Sequence, residues 1–357
     1  MKNIQTLIVA FLMIKLLSAS GLQARTNLTV QTLIPTATIP GLTDLLSDIE
    51  DRTDLNGRYI SNSFALANIT GYPVGKAHIG RFPSFEGGLA VGGGLTNAAY
   101  FDKGSNASDN GSLPGATLNP VFRLGVGLTN RIDVLIKAFY MNTKIIKQDV
   151  GTSLARLSYA SLSSEGVKLR YNIVKRQTIV PLLLSFGGIT LSLGADALYG
   201  QIKVRGRYDT DFKNILVDYG AGSVPLTLDF DGRYGGKAEF GMLSLTAQAC
   251  VYIDLLYLFS IYTGLGITGG YGKCKLSFDG TGLLTTTDLT YIGTFSTPIV
   301  GQLDFSSSNR YYPYVAIPAY IVGLEINIFV LKLTGETMVN LYNLKDVNAQ
   351  IGVRVHI

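Results

Sequence analysis

The stretch "VNAQIGVRVHI", residues 347–357, decides the fold class of this chain. Its odd-numbered positions are all apolar, from Val347 to Ile357, whereas its even-numbered positions, such as Gln350 and Arg354, are polar or very small. A strict period of two predicts a β-strand with one apolar and one polar face. Its length matches the roughly 9–11 residues with which a β-strand crosses a membrane. The segment therefore predicts the closing strand of a transmembrane β-barrel, which leaves no sheet edge open to lipid.

The same alternation recurs from residue 85 onward and predicts ten strands. Their approximate bounds are 85–101, 119–128, 132–142, 164–174, 188–207, 236–252, 260–277, 312–328, 331–342 and 347–357. The long polar links between them are residues 102–118, 143–163, 208–235 and 278–311. Short turns at one end and long loops at the other are typical of outer-membrane barrels. Because some of the long links contain further alternating segments, we predict an all-β, antiparallel transmembrane barrel of about 10–14 strands.

Composition agrees with a membrane barrel. Of the 357 residues, 41 are Gly, 20 are Tyr and only 15% are charged, which makes the chain too apolar for disorder. Beyond the N-terminus no run of about 18 apolar residues supports a membrane-spanning helix. A soluble β-sandwich is the alternative, but its strands average about five to six residues, and several of the alternating segments here are longer.

The first 83 residues differ from the rest of the chain. Residues 1–24 resemble a secretory signal peptide, with Lys2 before an apolar run and a small-residue cleavage site before Arg25. Residues 25–83 form a predicted helical, hatch-like segment, and residues 84–357 the predicted barrel. The apolar positions of the predicted hatch helix recur at helical spacing. They are Leu42, Leu45, Leu46 and Ile49.

The sequence contains few residues that are arranged for catalysis. The histidines are His78, before the first strand, and His356, in the last strand, and neither is placed beside a nucleophile. The "GGYGKC" stretch at residues 269–274 lacks the upstream Gly, the following Ser or Thr and the helix of a phosphate-binding loop. We predict no enzyme activity, no catalytic residues, no metal and no cofactor. The net charge of +5 is too small to indicate nucleic-acid binding.

The polar phase of the strands is predicted to face the lumen. The charged residues of this phase are nearly balanced in sign: Arg123, Asp133, Lys137, Lys168, Arg170, Asp196, Glu325, Lys332, Glu336 and Arg354. Two interpretations remain open. They form either an ion-pair network that stiffens the wall or a polar path with a mild preference for anions or amphiphiles.

The stretch "YPVGKAHIGRFPSFEGGLAVGGG", residues 72–94, resembles the lead-in to the first strand in spirochaete relatives of the long-chain fatty-acid (FadL-like) channels of Gram-negative outer membranes. The closing stretch, residues 347–357, resembles the C-terminal signal that outer-membrane proteins present to the barrel-assembly machinery. These resemblances imply an outer-membrane location, contact with outer-membrane lipid, and passive passage of a small hydrophobic or amphipathic ligand past an N-terminal hatch. The alternative is a structural or adhesive surface protein with a closed lumen and long extracellular loops.

Overall fold

The structure is a computed structural model. It describes residues 25–32, 57–72, 79, 82–97, 115–143, 156–181, 183–218, 223–286 and 299–356. Within these ranges one helix, α1, covers residues 57–68. The strands of the same ranges are β1 Arg25–Thr32, β2 Ser84–Thr96, β3 Gly115–Gly127, β4 Ile132–Thr143, β5 Arg156–Val174, β6 Gln177–Val180, β7 Leu184–Asp218, β8 Ser223–Leu255, β9 Phe259–Thr286, β10 Ile299–Tyr311, β11 Ala316–Ile328, β12 Leu331–Asn340 and β13 Val347–His356.

Ten of the described strands form a closed antiparallel ring in the order β2-β3-β4-β5-β7-β8-β9-β11-β12-β13. The ring closes where β13 pairs with β2, from Val347↔Leu95 to His356↔Glu86. β10 pairs with β9 in the same register as β11, so β10 and β11 together form one long ring strand with a short interruption. The predicted transmembrane β-barrel is confirmed.

The two ends of the barrel differ. At the short-turn end, residues 128–131, 256–258 and 329–330 connect successive strands. At the opposite, long-loop end, β7, β8, β9 and β10 continue well beyond their neighbours as a projecting sheet. Residues 208–235 were predicted to be a long polar link in which segments 213–219 and 224–230 could form a further hairpin, and most of them form the ends of β7 and β8. The link was wrong and the hairpin is present, because strand pairing overrides the low strand propensity of Asp and Gly.

Apolar side chains cover the outer face of the ring between two aromatic girdles. Exposed residues such as Leu193, Leu245 and Leu265 lie in the middle of this apolar belt. The girdle at the long-loop end is formed by Tyr140, Tyr199, Tyr271 and Tyr312. The girdle at the short-turn end contains Phe82, Tyr257 and Phe329. Tyr271 is 82% exposed and Phe329 99% exposed, which matches aromatic side chains placed at membrane–water interfaces. No helix in the described residues is long and apolar enough to span a membrane.

Residues 57–72, which we name the luminal plug, lie inside the ring. Residues 61–72 of this plug are all buried. A short N-terminal helix inside the barrel confirms the hatch-like element of the predicted fold. The predicted hatch positions Leu42, Leu45, Leu46 and Ile49 lie outside the described residues, as do His78 and the predicted signal peptide. β1 is a strand that the sequence did not predict.

Candidate functional site: the luminal plug and its compartment

Glycines on the inner wall make room for the plug. A Cβ at Gly94 would collide with the Ser63 carbonyl oxygen, and one at Gly92 would collide with the Thr70 side chain. On β3, a Cβ at Gly115 would collide with the Tyr59 carbonyl oxygen. The glycine-rich β2 is therefore a groove that fits the backbone of the plug.

Wall side chains bind the carbonyl groups at the C-terminal end of α1. Asn348 Nδ2 donates to the Leu66 oxygen at 2.6 Å, and Asn119 Nδ2 donates to the Ala67 oxygen at 3.0 Å. Lys137 Nζ donates to the Asn68 oxygen at 2.5 Å and to the Thr70 oxygen at 2.7 Å. The last carbonyl groups of a helix lack i+4 partners within it, and a cation near them also favours the helix dipole. The wall thus caps the helix that it encloses.

The plug also makes polar contacts to β7, β8 and β13. Asn68 Nδ2 donates to Ser244 Oγ at 2.8 Å and to the Asp196 carbonyl oxygen at 3.1 Å. The backbone N–H of Gly71 donates to Gln350 Oε1 at 2.7 Å. Gly71 has a φ of +101°, a conformation that glycine adopts without strain, and it turns the chain out of the helix. Contacts to β7, β8 and β13 therefore fix the plug across the lumen.

Tyr72 is the C-terminal residue of the plug. Two lysine ammonium groups lie over its ring, with Lys137 Nζ 5.0 Å and Lys168 Nζ 4.9 Å from the ring centroid. Lys137 Nζ also lies 2.9 Å from Asp196 Oδ1. Cation–π contacts of this kind gain strength when the cation is removed from water. Lys137 thus contacts the end of α1, the Tyr72 ring and the Asp196 carboxylate on the wall.

A group of buried ion pairs, which we name the charged floor, lies on the inner wall toward the short-turn end. Glu86 on β2 pairs with Arg123 on β3 and with Arg354 on β13, whose Nη1 lies 3.3 Å from Glu86 Oε1. Arg354 also pairs with Glu325 on β11. Arg170 Nη2 pairs with Asp133 Oδ2 at 2.9 Å. These pairs join wall strands to each other, so the floor does not depend on the plug for its charge balance.

The structure buries all ten of the predicted lumen-lining residues: Arg123, Asp133, Lys137, Lys168, Arg170, Asp196, Glu325, Lys332, Glu336 and Arg354. Direct ion pairs join three couples of them, Lys137–Asp196, Arg170–Asp133 and Arg354–Glu325. Lys168 Nζ donates to Gln248 Oε1 at 3.1 Å, Glu336 accepts from Tyr262, and Lys332 lies directly opposite Arg354. Their role in passage through the lumen stays a prediction.

Glu86 is a site residue that the sequence analysis missed. It is buried at the centre of the charged floor and contacts two arginines. The signal that marks it is weak because Gly87 and Gly88 follow it and conceal the alternation. The exposed Phe85 and Leu89 nevertheless set the outward phase of β2 and leave Glu86 in the inward phase.

One side of the lumen toward the long-loop end is apolar, and we name this region the apolar compartment. Its wall consists of Leu198, Phe240, Met242 and Cys274, with Leu162, Ile202 and Leu276 partly buried beside them. The plug contributes Phe64 and Ala67, and the Phe64 and Phe240 rings stack with their centroids 3.7 Å apart. Barrel interiors are usually polar, so this inner wall requires an apolar cover. Phe64 supplies that cover.

Two cysteines and one histidine lie within the described residues. Cys250 and Cys274 are buried and free. His356 lies near the end of β13. Within the described part of the chain, no group of three His, Cys, Asp or Glu residues is placed to hold a metal ion.

Several solved structures resemble this barrel. The toluene transporter TbuX from Ralstonia pickettii is 10% identical, with 84% of this chain and 98% of that chain covered and a TM-score of 0.22. The outer membrane protease OmpT from Escherichia coli is 10% identical, covering 77% of this chain and 96% of its own, with a TM-score of 0.32. A FadL homologue from Pseudomonas aeruginosa is 8% identical, covering 85% and 96%, with a TM-score of 0.22.

No curated protein sequence matches the chain. A family described as Lsa36-like matches residues 30–357. Because this match covers most of the 357 residues, the chain belongs to the Lsa36-like family.

Proposed function

We propose that this protein is an outer-membrane barrel that passes small hydrophobic molecules when the luminal plug withdraws from the apolar compartment. The observation that carries the proposal is the apolar inner wall covered by Phe64. A barrel that served only as a rigid anchor could fill its lumen with polar side chains from its own strands. Here a separate segment of chain covers an apolar surface that suits a small apolar ligand.

The energetics of plug movement favour a gated route over an open one. Uncovering Phe64 costs roughly 1.5–3 kcal/mol of apolar burial, and each plug–wall hydrogen bond adds about 0.5–1.5 kcal/mol. A hydrophobic solute that replaces Phe64 against Phe240 recovers the apolar part of this cost.

The placement in the cell follows the same proposal. Residues 1–24 act as the signal peptide, the barrel-assembly machinery recognises β13, and outer-membrane lipid covers the apolar belt. In outer-membrane barrels the short turns face the periplasm and the longer connections face outside. The long-loop end, and with it the apolar compartment, therefore faces the medium.

A disulfide lock between plug and wall tests the gate. Ser63 Oγ on the plug lies 2.7 Å from Thr117 Oγ1 on β3, so the Ser63→Cys/Thr117→Cys pair has side chains close enough to join. In liposomes, uptake of a small apolar fluorophore should stop when this pair is oxidised and return after reduction. A matched control is Ser277→Cys/Ser308→Cys, whose hydroxyl oxygens lie 3.4 Å apart between β9 and β10 and do not touch the plug.

Uptake by the control should be the same in both redox states. Equal uptake by the oxidised and reduced plug–wall pair would reject gating by the plug. No uptake by any variant would reject passage altogether and leave the closed-barrel alternative.

The projecting sheet favours a second function, binding of surface partners. β7 and β8 remain paired up to Asp218↔Ser223, far beyond the apolar belt. Replacing residues 207–233 with a two-residue turn should remove surface binding while the barrel stays folded. Unchanged binding of intact cells to host-surface components would count against this role.

A further inference from the structure

The first described strand lies far from the short-turn end. β1 pairs antiparallel with β10, from Arg25↔Ser308 to Thr32↔Gly301. The other edge of β10 pairs with β9, where Ser308 lies opposite Ser277 and Gly301 opposite Leu284. β1 is therefore the edge strand of the projecting sheet.

The position of β1 along the barrel axis can be read from β9. β9 begins at Phe259 at the short-turn end, and the partners of β10 in this region, Ser277 to Leu284, lie 18 to 25 residues further along. A membrane-crossing strand takes only roughly 9–11 residues. The girdle residue on β9 is Tyr271, which precedes all of these positions. β1 thus lies beyond the apolar belt, on the side of the long-loop end.

The chain then crosses the barrel through the lumen. Gly57, at the start of α1, lies against the Tyr311 ring at the end of β10. At the other end, the backbone N–H of Ile79 donates to Asp133 Oδ2 at 3.2 Å, beside the charged floor. β2 then starts at the short-turn end, where Ser84 lies opposite Gly127. The path runs from the long-loop end to the short-turn end inside a ring that β2 and β13 close.

We propose that the barrel displays its own N-terminal segment, residues 25–32, on the outer face of the membrane, with the plug as the part of the chain that crosses the lumen. The proposal rests on the outer-membrane placement argued above. It does not require that any solute passes. It separates this protein from a barrel whose hatch enters the lumen from the periplasm, because there the same residues would stay on the periplasmic side.

Epitope accessibility in cells tests the proposal with the full chain. One variant carries an epitope tag directly before Arg25. A positive control carries the same tag in the β7–β8 connection, residues 219–222, and a negative control carries it between Asn130 and Arg131 in the short turn after β3. We expect the first two tags to bind antibody on intact cells to a similar extent. The third tag should bind only after the outer membrane is permeabilised.

The outcomes separate this inference from the proposed function. If the β7–β8 tag is accessible on intact cells and the tag before Arg25 is not, surface display is overturned and the proposed placement stands. If neither is accessible on intact cells, both are overturned. Where an insertion prevents folding, Thr26→Cys and Arg131→Cys labelled with a membrane-impermeant maleimide give the same comparison, because Cys250 and Cys274 are buried. Protection of Thr26→Cys until permeabilisation overturns the display.

Discussion

The two halves of the lumen are held together in different ways. In the charged floor, Glu86, Arg123 and Arg354 connect the wall strands β2, β3 and β13 directly. In the apolar compartment, the wall residue Phe240 meets the plug residue Phe64. The floor supports the ring, whereas the compartment depends on the plug. Substitutions in the two halves should therefore separate stability of the ring from closure of the lumen.

The largest effect is expected at Glu86. Glu86→Gln leaves the buried Arg123 and Arg354 without their shared carboxylate, and breaking a buried ion pair costs about 3–5 kcal/mol. The free energy of unfolding in detergent, measured by denaturant titration, should fall by that order while luminal uptake stays unchanged. The control Glu165→Gln changes an exposed carboxylate on β5. Equal loss of stability in both variants would contradict a specific role for the floor.

A smaller effect on stability, but a clear effect on closure, is expected at Gly94. A side chain there meets the Ser63 carbonyl oxygen and Leu66, so Gly94→Leu forces the plug away from β2. Overpacking of this kind costs about 1–3 kcal/mol. Uptake of an apolar fluorophore into liposomes should rise. The control is Gly335→Leu on β12, where an added Cβ has nothing within 4 Å.

If the Gly94 and Gly335 variants take up the fluorophore equally, the glycine groove does not hold the plug. If the Gly94→Leu variant instead loses as much unfolding free energy as Glu86→Gln, the two halves of the lumen are not separate.

The smallest effect is expected at Thr117. Thr117→Val keeps the shape of the side chain but removes the hydroxyl that contacts Ser63 Oγ at 2.7 Å. One hydrogen bond of this type contributes about 0.5–1.5 kcal/mol. We expect slightly faster proteolysis or hydrogen exchange at α1, with the denaturation midpoint of the ring unchanged. Exchange equal to that of the unmodified protein would show that this contact does not hold the plug.

The strands of the ring could be predicted because their information is local. A period of two in residues 132–142 predicted the observed strand Ile132–Thr143, and the closing stretch matched β13 equally well. The inward phase also placed the ten charged residues in the buried interior. Lipid outside and packed side chains inside impose the same alternation on every strand.

The plug could not be placed from the sequence because its contacts are not local. Asn348 binds the Leu66 carbonyl across 282 residues, and Gly71 binds Gln350 across 279. The apolar spacing predicted a hatch helix at residues 42–49, which lie outside the described residues. The helix that is described, residues 57–68, fits glycines on β2 whose role no local pattern reveals.

The attachment of the plug at both ends has a consequence for any solute that competes with it. β1 is paired to β10 on one side of the plug, and β2 belongs to the ring on the other. Reclosure is therefore intramolecular, and a tethered segment of this kind acts at an effective concentration of roughly millimolar. A dilute solute can keep the lumen open only if it binds the compartment more tightly than Phe64 does. Selectivity would then arise from competition with the chain itself, without a dedicated recognition residue.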